Sequence, residues 1–341
     1  MDSYLASETM RDRIYSVAKA APNNPWIYGV ACGLLQFESL ERRETWFNEL
    51  EQAVTISPIQ KRIQEATAAA INNRYWRAIR ILFSTNSIDL NQSTTLRIRA
   101  SEYAKIASGY DASTEFLMSI PTEERSANSL FAACLNDIHS LRPAPTFLSI
   151  DEERRGTITE RLNENREELK KIESKNGKYS RLISLIEHFY LKVSLQRDTG
   201  RRNKELDTLW TELTQLNEQH PGWKPLCSLS AKVAVARGQN QDALEFAERA
   251  IQIGENSSED YEQMIQILES EGRSKEISFY QKQQQDRLNQ LTAIWFNYLS
   301  DNPALRDPFV RLSHCKSLCR THGTPQSFFL LADAALDLTT R

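Results

Sequence analysis

The sequence predicts an all-α chain of stacked antiparallel helix hairpins, a solenoid, and three observations carry that prediction. Within residues 223–285 the chain superposes on itself at an offset of 34: Gly238 falls on Gly272, Cys227 on Tyr261, Ala231 on Ile265, Ala234 on Leu268, Ala243 on Ile277 and Phe246 on Tyr280. Small or apolar residues thus meet small or apolar residues, as in a repeat whose units bury their apolar faces on one another. Composition agrees, because only 11 glycines and 11 prolines occur in 341 residues, below the usual shares of roughly 7% and 5%. Those few helix breakers fall between segments of helical period, where they punctuate hairpins.

Taken in order, residues 10–24 read as the second helix of a hairpin and its closing turn, with Ala18, Pro22 and Asn23 in suggestive places. The chain is therefore expected to begin partway through an array. After Pro25, WIYGVACGLLQFESL is apolar on most faces, and ERRETWFNELEQAVTISP forms an amphipathic helix with Trp46, Leu50 and Ala53 on one stripe and Pro58 as its stop. Next come IQKRIQEATAAAI and YWRAIRILF, split at Asn72 and Asn73; Ala78 follows Asn73 at the interval by which Ala243 follows Gly238. TTLRIRASEYAKIAS and ASTEFLMSI break at Gly109, Tyr110 and Asp111, and SANSLFAACLNDIHSL adds one more buried-looking helix. Pro143 and Pro145 forbid helix in 141–152. The sequence therefore divides into an N-terminal hairpin array over 1–140, a connection with a charged segment over 141–178, and a C-terminal array over 179–341. The charged stretch TITERLNENREELKKIESK is a solvated helix or a bridging loop. YSRLISLIEHFYLKVSL then pairs across Gly200 with NKELDTLWTELTQLNEQ, with Trp210 and Leu213 facing inward and Pro221 as the stop. DRLNQLTAIWFNYLS extends or restarts a helix, and DPFVRLSHCKSLCRTHG with TPQSFFLLADAALDL makes a last pair.

The period and its residues resemble the tetratricopeptide repeat, clearly over 223–285 and in degenerate form elsewhere. With Lys224 as the first repeat position, Ala231 falls where the family has a small residue on its first helix, Gly238 in the turn, and Ala243 and Ala250 at small positions of the second helix. Small residues let helix backbones approach, and glycine accepts the left-handed turn that ends a helix. In the second unit Tyr261 and Gly272 sit as the family has them, whereas Gln281 and Gln284 replace an aromatic and an alanine. The resemblance implies a right-handed superhelical solenoid whose first helices line a concave face. Its groove-facing positions correspond here to Pro225, Ser228, Lys232 and Val235, then Glu259, Glu262, Gln266 and Glu269. The second set is mostly acidic and would suit a basic or amphipathic peptide, although a charged helix face is more often plain solvated surface. Family members that clamp the C-terminal carboxylate of chaperones carry lysine and asparagine there, and this sequence departs from that pattern.

Charge excludes other classes. With 42 basic and 45 acidic side chains interleaved and a net charge of −3, no long-range field favours nucleic acid or an anionic membrane. Five scattered cysteines make no disulfide framework. No apolar run reaches the length of a membrane span, and the opening residues lack the core of a signal peptide, so a cytoplasmic protein is expected.

Groupings that could carry chemistry are few. On a helix Cys315, Cys319 and His322 share a face beside His314, as zinc ligands would. Leu312 and Leu318 lie near the same stripe, and packed cysteine is the better account. No catalytic glycine loop, nucleophile elbow or HExxH occurs, and His139, His188 and His220 stand isolated. The six tryptophans fall at helical spacing, which suits core packing better than base stacking. The arginine pairs at 42–43, 154–155 and 201–202 read as solvated surface. The expectation is a non-catalytic scaffold or adaptor without cofactor, holding a protein or peptide on its concave face. The alternatives are a structural spacer within a larger protein, a helical-repeat nucleic-acid binder, and an enzyme assembled from distant hairpins.

Overall fold

The computed structural model describes residues 12–13, 15–35, 48–50, 52–83, 93–173, 177–254 and 256–339. Among them there is no strand, and the chain is all-helical. No described helix is long and apolar enough to cross a membrane. Helix α1 (Pro25–Leu35) packs on α2 (Pro58–Ile71), which pairs with α3 (Tyr75–Leu82). Helices α4 (Thr94–Ala107) and α5 (Tyr110–Met118) follow, then α6 (Ala127–Leu141) with α7 (Glu152–Glu173). Helix α8 (Lys178–Leu191) packs mainly on α6 and touches α9 (Thr199–Gln219) only lightly, while α9 packs on α10 (Lys224–Ala236); α10 pairs with α11 (Asn240–Ile253), and α12 (Ser258–Ser270) with the long α13 (Ser274–Asp301). Helices α14 (Pro308–His322) and α15 (Pro325–Thr339) close the described chain. Residues 15–20 are also helical, with Ala18 buried. Of the stripe expected on 46, 50 and 53, Leu50 is buried, while Trp46 lies outside the described residues.

One turn is used three times. At the end of α10, Gly238 takes φ 74°, its N–H bonds to the Val235 carbonyl, and the Gln239 N–H reaches back to Ala234 at 2.9 Å. At the end of α12, Gly272 takes φ 68°, and the Arg273 N–H reaches Leu268 at 2.9 Å. At the end of α2 the left-handed residue is Asn73, φ 59°, with the Arg74 N–H on Ala69 at 2.9 Å. This six-to-one bond satisfies carbonyls that the last helical turn leaves orphaned, and asparagine is the best substitute for glycine in that conformation. After α2 and α10 the second helix then docks through a small residue, Ala78 or Ala243, both fully buried, whereas α13 has Ile277 there; Ala231 on α10 and Ala250 on α11 are nearly as buried.

Pro58 is the first residue of α2 as well as a stop, because the Ser57 side chain caps the helix reciprocally with Gln60. The break expected at Gly200 sits earlier. Gly200 is inside α9, which starts after Asp198, whose carboxylate accepts the Arg201 N–H. The charged stretch after 152 is α7, a helix of 22 residues with Ile158, Leu162, Asn165 and Leu169 buried against α6. A narrow stripe of this kind is enough to dock an otherwise solvated helix.

Helices α6, α8, α10 and α12 contact one another in sequence and form an inner row. The path curves until its later helices pack on α3 to α6. The first half of α13 pairs with α12, and its second half packs on α3 and α4; α14 packs on α5 and α6. One core cluster accordingly unites Ala66, Tyr75, Leu96 and Ala104 with Trp295, Cys315, Leu318 and Leu330, so the core runs across the lobes read from the sequence. Hydrogen bonds secure the closure, among them these three. The Trp295 indole donates to the Ile106 carbonyl at 2.9 Å and His322 Nε2 donates to the same oxygen at 3.2 Å, which caps a carbonyl in the last turn of α4. The Tyr110 N–H donates to Thr321 Oγ1 at 3.1 Å.

Candidate functional site: a recess at the centre of the closed array

The inner helices surround a recess of about 370 Å³, lined by Lys105, Tyr110, His139, Tyr190, Ser228, Lys232 and Glu259 among others. Its polar centre is Lys232 on α10, whose ammonium donates to Tyr190 Oη at 2.8 Å and to Glu259 Oε1. Around it runs a stack of rings. Tyr110 lies flat on His139 with centroids 5.0 Å apart, His139 tilts against Tyr190 at 5.4 Å, and the Arg142 guanidinium covers the Tyr190 ring at 3.9 Å. Lys105 closes the far end, 5.5 Å above Tyr110. Cations on ring faces are attracted by the ring quadrupole, so stack and charges support each other.

Arg142 also donates to His139 Nδ1 at 2.9 Å. A guanidinium only donates, so Nδ1 is the bare nitrogen and the imidazole proton is on Nε2. Burial and then the charges of Arg142, Lys105 and Lys232 hold the His139 pKa well below the ordinary range. Burial alone would raise the Glu259 carboxyl, but Lys232 and Arg142 outweigh it and hold it at about 2. Burial would likewise lower the Lys232 pKa, and Tyr190 and Glu259 raise it instead. The centre therefore carries a fixed ammonium and carboxylate and a neutral imidazole near pH 7. Glu259 remains 49% exposed in its side chain, so it stands in the mouth of the concavity, flanked by protein and wetted by solvent.

Four of the eight groove positions read from the sequence line this recess: Pro225, Ser228, Lys232 and Glu259. Val235, 41% exposed, lies outside the lining, and Glu262, Gln266 and Glu269 are exposed along α12, with Gln266 donating to Glu262 at 3.5 Å. The acidic character expected of the second set does not reach the recess. Of that set only Glu259 enters it, where Lys232 meets it, and the neighbouring Asp260 pairs with Lys224 at 3.3 Å. Lysines 105, 224 and 232 stand against those two acids.

The structural positions have simple roles: Tyr261 sits beside Asn256, whose amide donates to it at 3.4 Å, and the alanines and glycines form the packing and turns described above. Cys315 and Cys319 are buried in the shared core, where burial pushes their thiols up to about 12 and about 11. His322 is turned away to Ile106 and Trp295. Among the described residues no group of three or more His, Cys, Asp or Glu is disposed to hold a metal ion.

Sequence reasoning missed Lys105, Tyr110, His139, Arg142 and Tyr190. They come from four separate stretches at no common spacing, and the 34-residue period does not carry Lys232 onto any of them. No family model matches the chain, and no curated protein is significantly similar to it.

Proposed function

We propose that this chain is a non-catalytic scaffold or adaptor, a tetratricopeptide-like right-handed solenoid that holds a protein or peptide segment against its concave face. The observation that carries the reading is the recess itself: half of the expected groove positions line one concavity with an aromatic and cationic wall. Such walls offer large contact area with little conformational entropy to lose. The groups that could do chemistry are fixed in structural work instead. Burial raises the thiol pKa of Cys134, Cys227, Cys315 and Cys319, and His139 and His322 are each committed through one nitrogen to a protein group. Balanced overall charge speaks for a protein partner over nucleic acid, and a cytoplasmic setting suits the buried free thiols.

The test is capture of partners on the immobilised chain beside two variants. Ser228→Arg fills the recess, and Glu262→Lys alters the exposed row outside it. A near-stoichiometric protein lost with Ser228→Arg and kept with Glu262→Lys supports the groove. A partner that ignores Ser228→Arg refutes it, and no partner on any bait favours the spacer.

A further inference from the structure

A second concavity, of about 420 Å³, lies between α7, α8, the proline-containing segment after α6 and the end of α14. Its lining differs from that of the central recess, although Arg142, which borders the cleft, also covers Tyr190 of the recess. Part of the lining is cationic. Arg155 lines it, and the Arg155 side chain has no hydrogen-bond or ion-pair partner among the described residues. Arg320 lines it too, and its guanidinium meets only the neutral carbonyls of Leu148 and Ser140. One carboxylate, Glu187, lines the cleft itself and is held by Arg166 at 2.8 Å, and the nearby Asp111 pairs with Arg154. Burial lowers the Arg320 pKa, Asp111 opposes this, and the charges of Arg154 and Arg155 act with the burial. Arg142, Arg155 and Arg320 thus outnumber the one lining carboxylate, Glu187, which Arg166 already neutralises. The lining also has apolar members, Leu162, Leu191 and the half-exposed Leu195.

We propose that this cleft binds a small organic phosphate, its dianion held by Arg155 and Arg320 and its apolar body laid against Leu162, Leu191 and Leu195. Guanidinium forks match phosphate oxygens in pairs and stay charged at any working pH. Two such forks favour a dianion over a single carboxylate. A space of this size suits a small ligand, whose typical sites span roughly 300–1,000 Å³.

Isothermal titration at fixed ionic strength tests this with phenyl phosphate, inorganic phosphate and benzoate as probes. Phenyl phosphate should bind saturably, and about tenfold or more tighter than either comparator, the equivalent of one good interaction. Arg155→Gln should weaken it by about tenfold or more, whereas Arg249→Gln, a surface arginine paired with Glu245, should leave it unchanged. Leu195→Ser should weaken phenyl phosphate and spare inorganic phosphate, a readout that stands even if Arg155→Gln folds poorly. No saturable binding at millimolar probe, equal binding of benzoate, or equal loss in Arg155→Gln and Arg249→Gln would overturn the proposal.

Discussion

Closure of the array puts a side-chain wall against a glycine, and a pair of alanine substitutions can measure it. Gly109, between α4 and α5, has φ 101° and ψ −174°. Gly254, after α11, has φ 94° and ψ −168°. Both lie in a region open almost only to glycine, so alanine at either costs about 1–3 kcal/mol in backbone strain. The surroundings differ. A Cβ at Gly254 would meet nothing within 4 Å, whereas one at Gly109 would lie 2.6 Å from Ser317 Oγ and 2.6 Å from Thr321 Oγ1 on α14. Thr321 Oγ1 cannot step aside freely, because it accepts the Tyr110 N–H and donates to the Ser317 carbonyl at 2.9 Å. Overpacking of this kind adds about 1–3 kcal/mol. Urea unfolding followed by far-UV circular dichroism should therefore show Gly109→Ala losing that much more than Gly254→Ala. Equal losses would mean that α14 does not rest on the α4–α5 turn.

Three further outcomes rest on the packing. His314 is stacked on Tyr298, and burial holds its pKa at about 4, below the ordinary 6.5. Between those values the unfolded chain binds a proton that the native chain refuses, so stability falls as pH drops from about 6.5 towards 4, by about 3 kcal/mol for this group. His314→Phe should remove that share of the loss between pH 7 and pH 4; a variant as acid-sensitive as the parent would refute the assignment. Asp137, 1% exposed, pairs with Arg161 through both oxygens, so Asp137→Ala should cost about 3 kcal/mol by stranding the guanidinium, and a change below about 1 kcal/mol would place the pair in solvent. Ala243→Trp should overpack α10 against α11 and cost roughly 1–3 kcal/mol; an unchanged urea midpoint would mean the repeat register is wrong.

Helices and turns were legible because their causes are local. The 34-residue offset reappears as the same left-handed residue and the same six-to-one bond after α10 and α12, and Asn73 was identifiable as their counterpart after α2. Gly200 misled because a glycine marks a turn only where positive φ is needed, and Asp198 capped α9 ahead of it. The α7 stripe was obscured by the charged residues on its other faces. At the recess, Lys232 and Glu259 were legible through the repeat register, but their effect was not. In the sequence Glu259 belongs to an acidic face, whereas in the structure Lys232 and Arg142 pair with it.

What the sequence determined by itself is the kind of element and the way neighbours pair: helix period, caps, left-handed turns and small residues at hairpin contacts all act within a few turns of chain. What only the tertiary structure decided is that the array closes on itself and sets Tyr110, His139, Tyr190, Lys232 and Glu259 around one recess. That outcome depends on the summed angles between successive helices, each set by many side chains at once. No local pattern records the sum, and the residues it brings together carry no shared spacing.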